Sequence, residues 1–208
     1  MTLEAKLAEG LSAMGLSFPA EMRAALIAYV RLIEKWNRVH NLTAVREPGQ
    51  MVVLHLLDSL SVLPHVAKYS TLLDVGAGAG LPGIPLAIAK PDLHVTLLDS
   101  NSKKAAFLRQ AKGELGLENC EIVCERVEAW KPDVHFDAVV SRAFSEISDF
   151  VTQSAHLVAP EGVLLAMKGV HPFDEIAKLP ATHRVENVVE LSIPLLDAKR
   201  HLVFLKAA

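Results

Sequence analysis

Four glycines, Gly76, Gly78, Gly80 and Gly83, fall within eight residues, a spacing that lets backbone come close to a nucleotide-like ligand. In front of them Leu72, Leu73 and Val75 form an apolar run too short for a helix and suited to a buried strand. Behind them Ile84, Leu86, Ala87 and Ile88 read as the buried side of a helix. Strand, glycine turn and helix is the context that gives such a pattern meaning. Two templates fit: Gly78 to Gly83 reads as GxGxxG, the dinucleotide form, and Gly76 to Gly80 as the shorter GxGxG. If the strand stops at Val75, the turn starts at Gly76 and Asp74 sits beside the ligand. A carboxylate there repels a pyrophosphate and suits an ammonium and a sulfonium, which favours S-adenosylmethionine. The competing reading is a purely structural glycine turn.

Other chemistry-bearing residues follow at strand ends. Asp99 closes an apolar run, Val95 to Leu98, and lies 23 residues after Gly76, where an acid is expected to meet ribose hydroxyls. Arg142 emerges after FDAVVS and Lys168 after GVLLAM, so both should face a ligand at the carboxyl ends of the strands. Lys103, Lys104, Arg109 and Lys112 share one helical stretch with no acid between 103 and 112. Arg200 stands between Lys199 and His201 at a predicted turn. His55 and Asp58, one helical turn apart, are expected to bond each other.

The elements that must position these groups begin with a helical cap over residues 1–70. It holds a short helix through Leu3, Leu7, Leu11 and Met14, then a long one opened by Pro19, with Met22, Leu26, Tyr29, Ile33 and Trp36 on one face. A further helical stretch carries Met51, His55 and Asp58 and ends before Pro64. Residues 20–46 hold five cations against Glu21 and Glu34, which fits either an RNA edge or a solvated helix face. Residues 71–208 alternate strands and helices; Ser100, Asn101 or Ser102 caps the basic helix, Gly116 stops it, and Ser145 caps the helix after Arg142. Two strand-like runs, 185 to 193 and 201 to 206, read as a closing hairpin. With no linker or repeat between them, cap and sheet are expected to pack as one unit.

At 208 residues and 51% hydrophobic, the chain can bury a substantial core. A net charge of −3 excludes wholesale polyanion binding, so any nucleic-acid contact must be local. Cys120 and Cys124 would lie about 13 Å apart on a strand, too far for a disulfide or a shared metal. No run approaches about 18 apolar residues, and the opening MTLEAKLAEG lacks a basic-then-apolar signal. A cytoplasmic monomer without metal or membrane contact is the expectation.

The stretches VGAGAGLPGIPLAI, HNLTAV, HLLDSL, LLDSNSKKAAFLRQ, VVSRAF, MKG and RHLVFLKA, in that order from about residue 26 onward, resemble the bacterial RNA methyltransferase family called RsmG, or glucose-inhibited division protein B. The resemblance implies an α/β class I S-adenosylmethionine-dependent methyltransferase fold. It is Rossmann-like, a mostly parallel sheet with a C-terminal antiparallel hairpin and an N-terminal helical cap. It also implies transfer of a methyl group to N7 of a guanine in 16S ribosomal RNA of the small subunit. By the same likeness Gly76 and Leu81 line the methionine and sulfonium side of the cofactor, which the glycine pattern extends to Gly78 and the strand end to Asp74, and Asp99 takes its ribose. Val127 and Glu128 hold the adenine, and Arg142 closes the pocket. The likeness also turns Lys168 and Arg200 to RNA, and the basic run with Lys103, Lys104 and Arg109 is expected to join them on phosphate. No general base is expected, and Arg142 and Lys168 are the orienting candidates. Ser141-Arg142-Ala143-Phe144 stands where amino-nitrogen methyltransferases resemble [ND]PP[YF], and neither cysteine follows a proline as in cytosine-C5 enzymes. The alternatives are a non-catalytic ribosome-assembly factor on the same scaffold and an NAD-dependent oxidoreductase, the latter lacking a second domain for its substrate.

Overall fold

The computed structural model describes all 208 residues. Two helices open the chain, α1 (Leu3–Ala13) and α2 (Ala20–His40). Pro19 stands at the start of α2, where its missing N–H costs nothing, and Leu26, Tyr29, Val30, Ile33 and Asn37 form the buried face. The buried Asn37 side chain then shapes HNLTAV, accepting from the Thr43 N–H at 2.9 Å and donating to the Val45 carbonyl at 3.1 Å.

The next helical stretch departs from a plain α-helix. Glu47 caps α3 (Pro48–Met51) by accepting from the Gly49 and Gln50 N–H groups, but Val52–Leu57 is π-helical before α4 (Asp58–Leu60) begins. The Asp58 N–H donates to the Val53 carbonyl, five residues back. Such a widening is rare, lies often at functional sites, and re-phases every side chain after it. The short α5 (Leu63–Val66) leads to the sheet.

Seven strands follow, β1 (Thr71–Val75), β2 (His94–Leu98), β3 (Cys120–Val123), β4 (Phe136–Ser141), β5 (Val158–Lys168), β6 (His183–Glu190) and β7 (His201–Ala207). Their order is β3-β2-β1-β4-β5-β7-β6. The first five run parallel, and β7 is antiparallel to both β5 and β6, so the expected hairpin is present. Helix α6 (Gly83–Ala89) connects β1 to β2, and α7 (Ser102–Leu115) connects β2 to β3. The chain then crosses back past β1 to lay down β4, so strand order reverses between β1 and β4, the place where open α/β sheets hold ligands. Asp137 locks that junction, its carboxylate accepting from the Ser70 and Thr71 N–H groups at 2.9 Å each.

Capping of α7 follows expectation: Asn101 Oδ1 accepts from Lys103 and Lys104 N–H, and Gly116 ends the helix at φ +64°. Helix α8 (Ile147–Ser154) does not, because no Ser145 side chain caps it; the Ile147 N–H donates instead to Glu175 Oε2 at 2.9 Å, from beyond β5. One hydrophobic cluster runs from Leu7 and Tyr29 through Leu72, Leu97 and Val163 to Leu202, joining the helices of residues 1–70 to one face of the sheet. Phe150, Leu157, Leu164 and Leu205 cover the other face.

Tyr29 carries the contact of α2 with the glycine loop, its buried hydroxyl donating to the Ala79 carbonyl. Replacing it with Phe leaves that carbonyl buried and unpaired. Tyr29→Phe should therefore cost about 1–3 kcal/mol in urea unfolding; an unchanged midpoint would show that the contact does not hold the loop.

Candidate active site

The end of β1 decides the register of the glycine loop. The strand stops at Val75, and the Gly76 and Ala77 N–H groups both donate to the Leu98 carbonyl, at 2.8 and 3.0 Å. Gly76 and Gly78 take φ of +70° and +61°, which a side chain rarely adopts. A Cβ on Gly76 would stand 2.7 Å from that of Ala143. The turn therefore starts at Gly76, as the GxGxG reading requires. Asp74 lies under the loop rather than beside it. It is fully buried, Oδ2 accepts from the Gly83 N–H at 2.8 Å, and Oδ1 has no partner. Burial pushes its carboxyl up to about 7 against the pull of that N–H. Leu81 is buried with it.

Above the loop opens a cavity bordered by Gly76, Asp99, Val127, Glu128, Ala143 and Phe144. Asp99 holds the loop from this side, one oxygen accepting from the Gly78 N–H at 2.9 Å and the other from the Asn101 N–H at 2.8 Å. Lys104 Nζ approaches it to 3.9 Å, which brings the first turn of α7 to the rim. Lys103 is exposed beside it in the same turn, and Arg109, exposed farther along the helix, borders a separate hollow with Lys112 and Gly116.

The segment after β4 separates this cavity from a second one. Ser141 Oγ donates to the Val75 carbonyl at 2.8 Å and accepts from the Ala143 N–H at 3.1 Å, fixing how the chain leaves the strand. Ala143 and Phe144 face the first cavity, while Arg142 turns to the second, with Leu54, His55, Asp58, Lys168 and Arg200. The expected His55–Asp58 pair is absent. The π turn sends His55 Nε2 to Thr43 Oγ1 at 3.0 Å and frees Asp58 for two guanidinium groups. Asp58 Oδ2 meets Arg142 at 3.1 Å and Oδ1 meets Arg200 at 3.2 Å, and its side chain is 3% exposed. Arg142 also donates to the Leu54 carbonyl at 3.2 Å.

Lys168 is already engaged: its ammonium donates to the Phe144 and Ser145 carbonyls at 3.1 and 2.7 Å and pairs with Glu175 at 2.6 Å. It anchors the loop after β4. Burial and the nearby Arg142 push the His55 imidazole down to about 4, so it stays neutral at physiological pH.

The family model described as "rRNA small subunit methyltransferase G" matches residues 22–203. A relative from Nitrosospira multiformis with the name "Ribosomal RNA small subunit methyltransferase G" is 54% identical, across 98% of this chain and 97% of its own. One of the same name from Aromatoleum aromaticum is 55% identical, across 97% of this chain and 98% of its own. This chain belongs to the rRNA small subunit methyltransferase G family. Among solved structures, the O-methyltransferase TomG from Streptomyces achromogenes, in complex with SAM, aligns over 100% of this chain and 99% of its own, with TM-score 0.59 at 14% identity. A SAM-dependent methyltransferase from Thiobacillus denitrificans aligns over 86% of this chain and 97% of its own, with TM-score 0.52 at 13% identity. That likeness establishes the class I methyltransferase fold.

Sequence reasoning passed over three residues of this member of the family: Asp58 as the bridge between two arginines, Tyr29 as the prop of the loop, and Glu175 as the partner of Lys168. Tyr29 and Asp58 act across at least 50 residues of sequence and Glu175 across the turn that follows β5, so no local spacing announces any of them. The neutral His55 has a consequence for stability. Unfolded, it takes its proton near pH 6.5; folded, only near pH 4, so the unfolded chain binds more protons in between and stability falls as pH drops through that window. The loss should approach about 3 kcal/mol. Urea unfolding at pH 7.5 and 4.5 should show a clearly smaller acid loss for His55→Gln; the same loss in both proteins would contradict the assignment.

Proposed function

We propose that this chain transfers the methyl group of S-adenosylmethionine to N7 of a guanine in small-subunit ribosomal RNA. The observation that carries the proposal is the handover at the end of β4. Within three residues the chain presents Ala143 and Phe144 to one cavity and Arg142 to the next. The first cavity suits the cofactor: the glycine turn gives a cradle that a Cβ on Gly76 would fill, Asp99 offers a carboxylate, and Val127 and Phe144 are apolar walls. Gly76, Gly78, Asp99, Val127 and Glu128 would hold it, with Asp74 and Leu81 supporting the loop from below. Bound there, S-adenosylmethionine supplies an electrophilic methyl group.

The second cavity suits the target base, unstacked from its strand. Guanine N7 has an in-plane lone pair and no proton, so the chain needs no general base. Its task is to hold the base in line and keep water out. The neutral His55 fits that task, since it puts no charge against a purine that becomes cationic. Asp58 tempers the two guanidinium groups it binds, and their remaining N–H donors suit the guanine O6 and the adjoining phosphates. Lys168, fixed by two carbonyls and Glu175, positions the loop that separates base from cofactor. Lys103, Lys104 and Arg109 offer exposed cations to RNA phosphate on the α7 side.

Purified protein mixed with labelled methyl donor and small subunits lacking the modification should place label on one guanine of the RNA. Gly76→Val, with a side chain driven against Ala143, should lose S-adenosylmethionine binding in calorimetry and lose transfer while staying folded. Unchanged affinity in a folded variant would remove the cofactor from this cavity, and label on ribosomal protein would end the RNA reading.

A further inference from the structure

Six large apolar side chains are left exposed by the fold, and Phe173 is the only aromatic among them, 71% exposed. It opens α9 (Phe173–Ile176), and Val170, 77% exposed, lies three residues before it. One side of the Phe173 ring rests on His171, centroids 3.7 Å apart and planes 25° apart, the geometry of stacked bases. His171 in turn meets His201 edge-on, at 5.4 Å and 74°. His201 is 5% exposed, borders the second cavity and is held through Nδ1 by the Gly169 carbonyl at 3.0 Å. A row of three rings thus leads from the cavity of Arg142 and Asp58 to a ring that faces solvent.

Resting on the methyltransferase reading above, we propose that Phe173, backed by His171, is a stacking platform for a base of single-stranded RNA next to the target guanine. The ring row starts at the wall of the cavity that receives the guanine, through centroid steps of 5.4 and 3.7 Å, so it lies within reach of a neighbouring nucleotide. The charges beside it match an RNA strand. Arg200 borders the cavity, and Lys199 is 70% exposed. The Arg200 guanidinium lies close to Gly169, at the start of the segment that carries the rings. Asp174, exposed next to Phe173, makes the ring itself a poor phosphate site. The ring therefore takes the base and the arginine and lysine take the backbone. Stacking of this kind is tolerant of sequence, because every base has a flat face.

Phe173 is exposed, so its replacement spares the fold. The test compares the wild type with Phe173→Ala, Phe173→Leu and Phe173→Trp at fixed salt, in binding to protein-free small-subunit RNA and to assembled subunits, with methyl transfer as a separate readout. Stacking by one ring should make the Ala and Leu variants bind both RNA forms about five- to tenfold more weakly. KM should rise with kcat and S-adenosylmethionine affinity unchanged, and Trp should restore binding. Equal binding by all four proteins overturns the platform. A loss confined to assembled subunits assigns the ring to a ribosomal protein and overturns it too. If the wild type binds RNA through Phe173 but transfers no methyl group, the catalytic reading fails while the platform stands.

Discussion

A buried carboxylate between two guanidinium groups holds the site together. Asp58 is almost wholly removed from water, and an isolated ion in that position would cost several kcal/mol. Arg142 from the end of β4 and Arg200 from the start of β7 offset that cost, one on each oxygen. Three distant parts of the chain, the π turn, the centre of the sheet and its C-terminal hairpin, therefore converge on one side chain. Neither arginine is used up by the pairing. Asp58 binds one nitrogen of each, and both remain partly exposed at the cavity wall, at 31% and 27%.

The division of the site into two cavities follows from how β4 ends. Ser141 ties the strand to Val75, Lys168 and Glu175 hold the carbonyls and the helix start beyond it, and Ala143 sits against the space left by the missing Cβ of Gly76. The glycine loop is braced from three directions: Tyr29 from the cap, Asp99 from β2 and Asp74 from beneath. The helical cap is thus part of the site: it supplies Tyr29, His55 and Asp58, while the sheet supplies the strand ends.

The pattern from residue 72 to residue 90 was legible because local backbone physics governs it: an apolar strand, a turn that needs positive φ, and a helix. The strand ends that carry Asp99, Arg142 and Lys168 were legible for the same reason. Their partners were not. Asp74 was expected beside a ligand, but the chain uses it to hold Gly83, a contact set by packing and not by spacing. His55 and Asp58 stand one α-helical turn apart in sequence, yet a π turn directs them to different neighbours, and propensity gives no sign of that phase change. Ser145 looked like a helix cap, but Glu175, 28 residues beyond Ile147, took the role. Packing between elements decides each of these cases.

The central claim is that cofactor and base occupy adjoining cavities separated by Arg142, Ala143 and Phe144. A structure of the chain with S-adenosylhomocysteine and a guanine-containing RNA fragment tests it most directly. The account predicts the adenosyl group beside Asp99, Val127 and Glu128. It places the purine in the cavity of His55, Asp58 and Arg142, with N7 turned toward the sulfur. A purine seated elsewhere, or an N7 turned away from the sulfur, would contradict it.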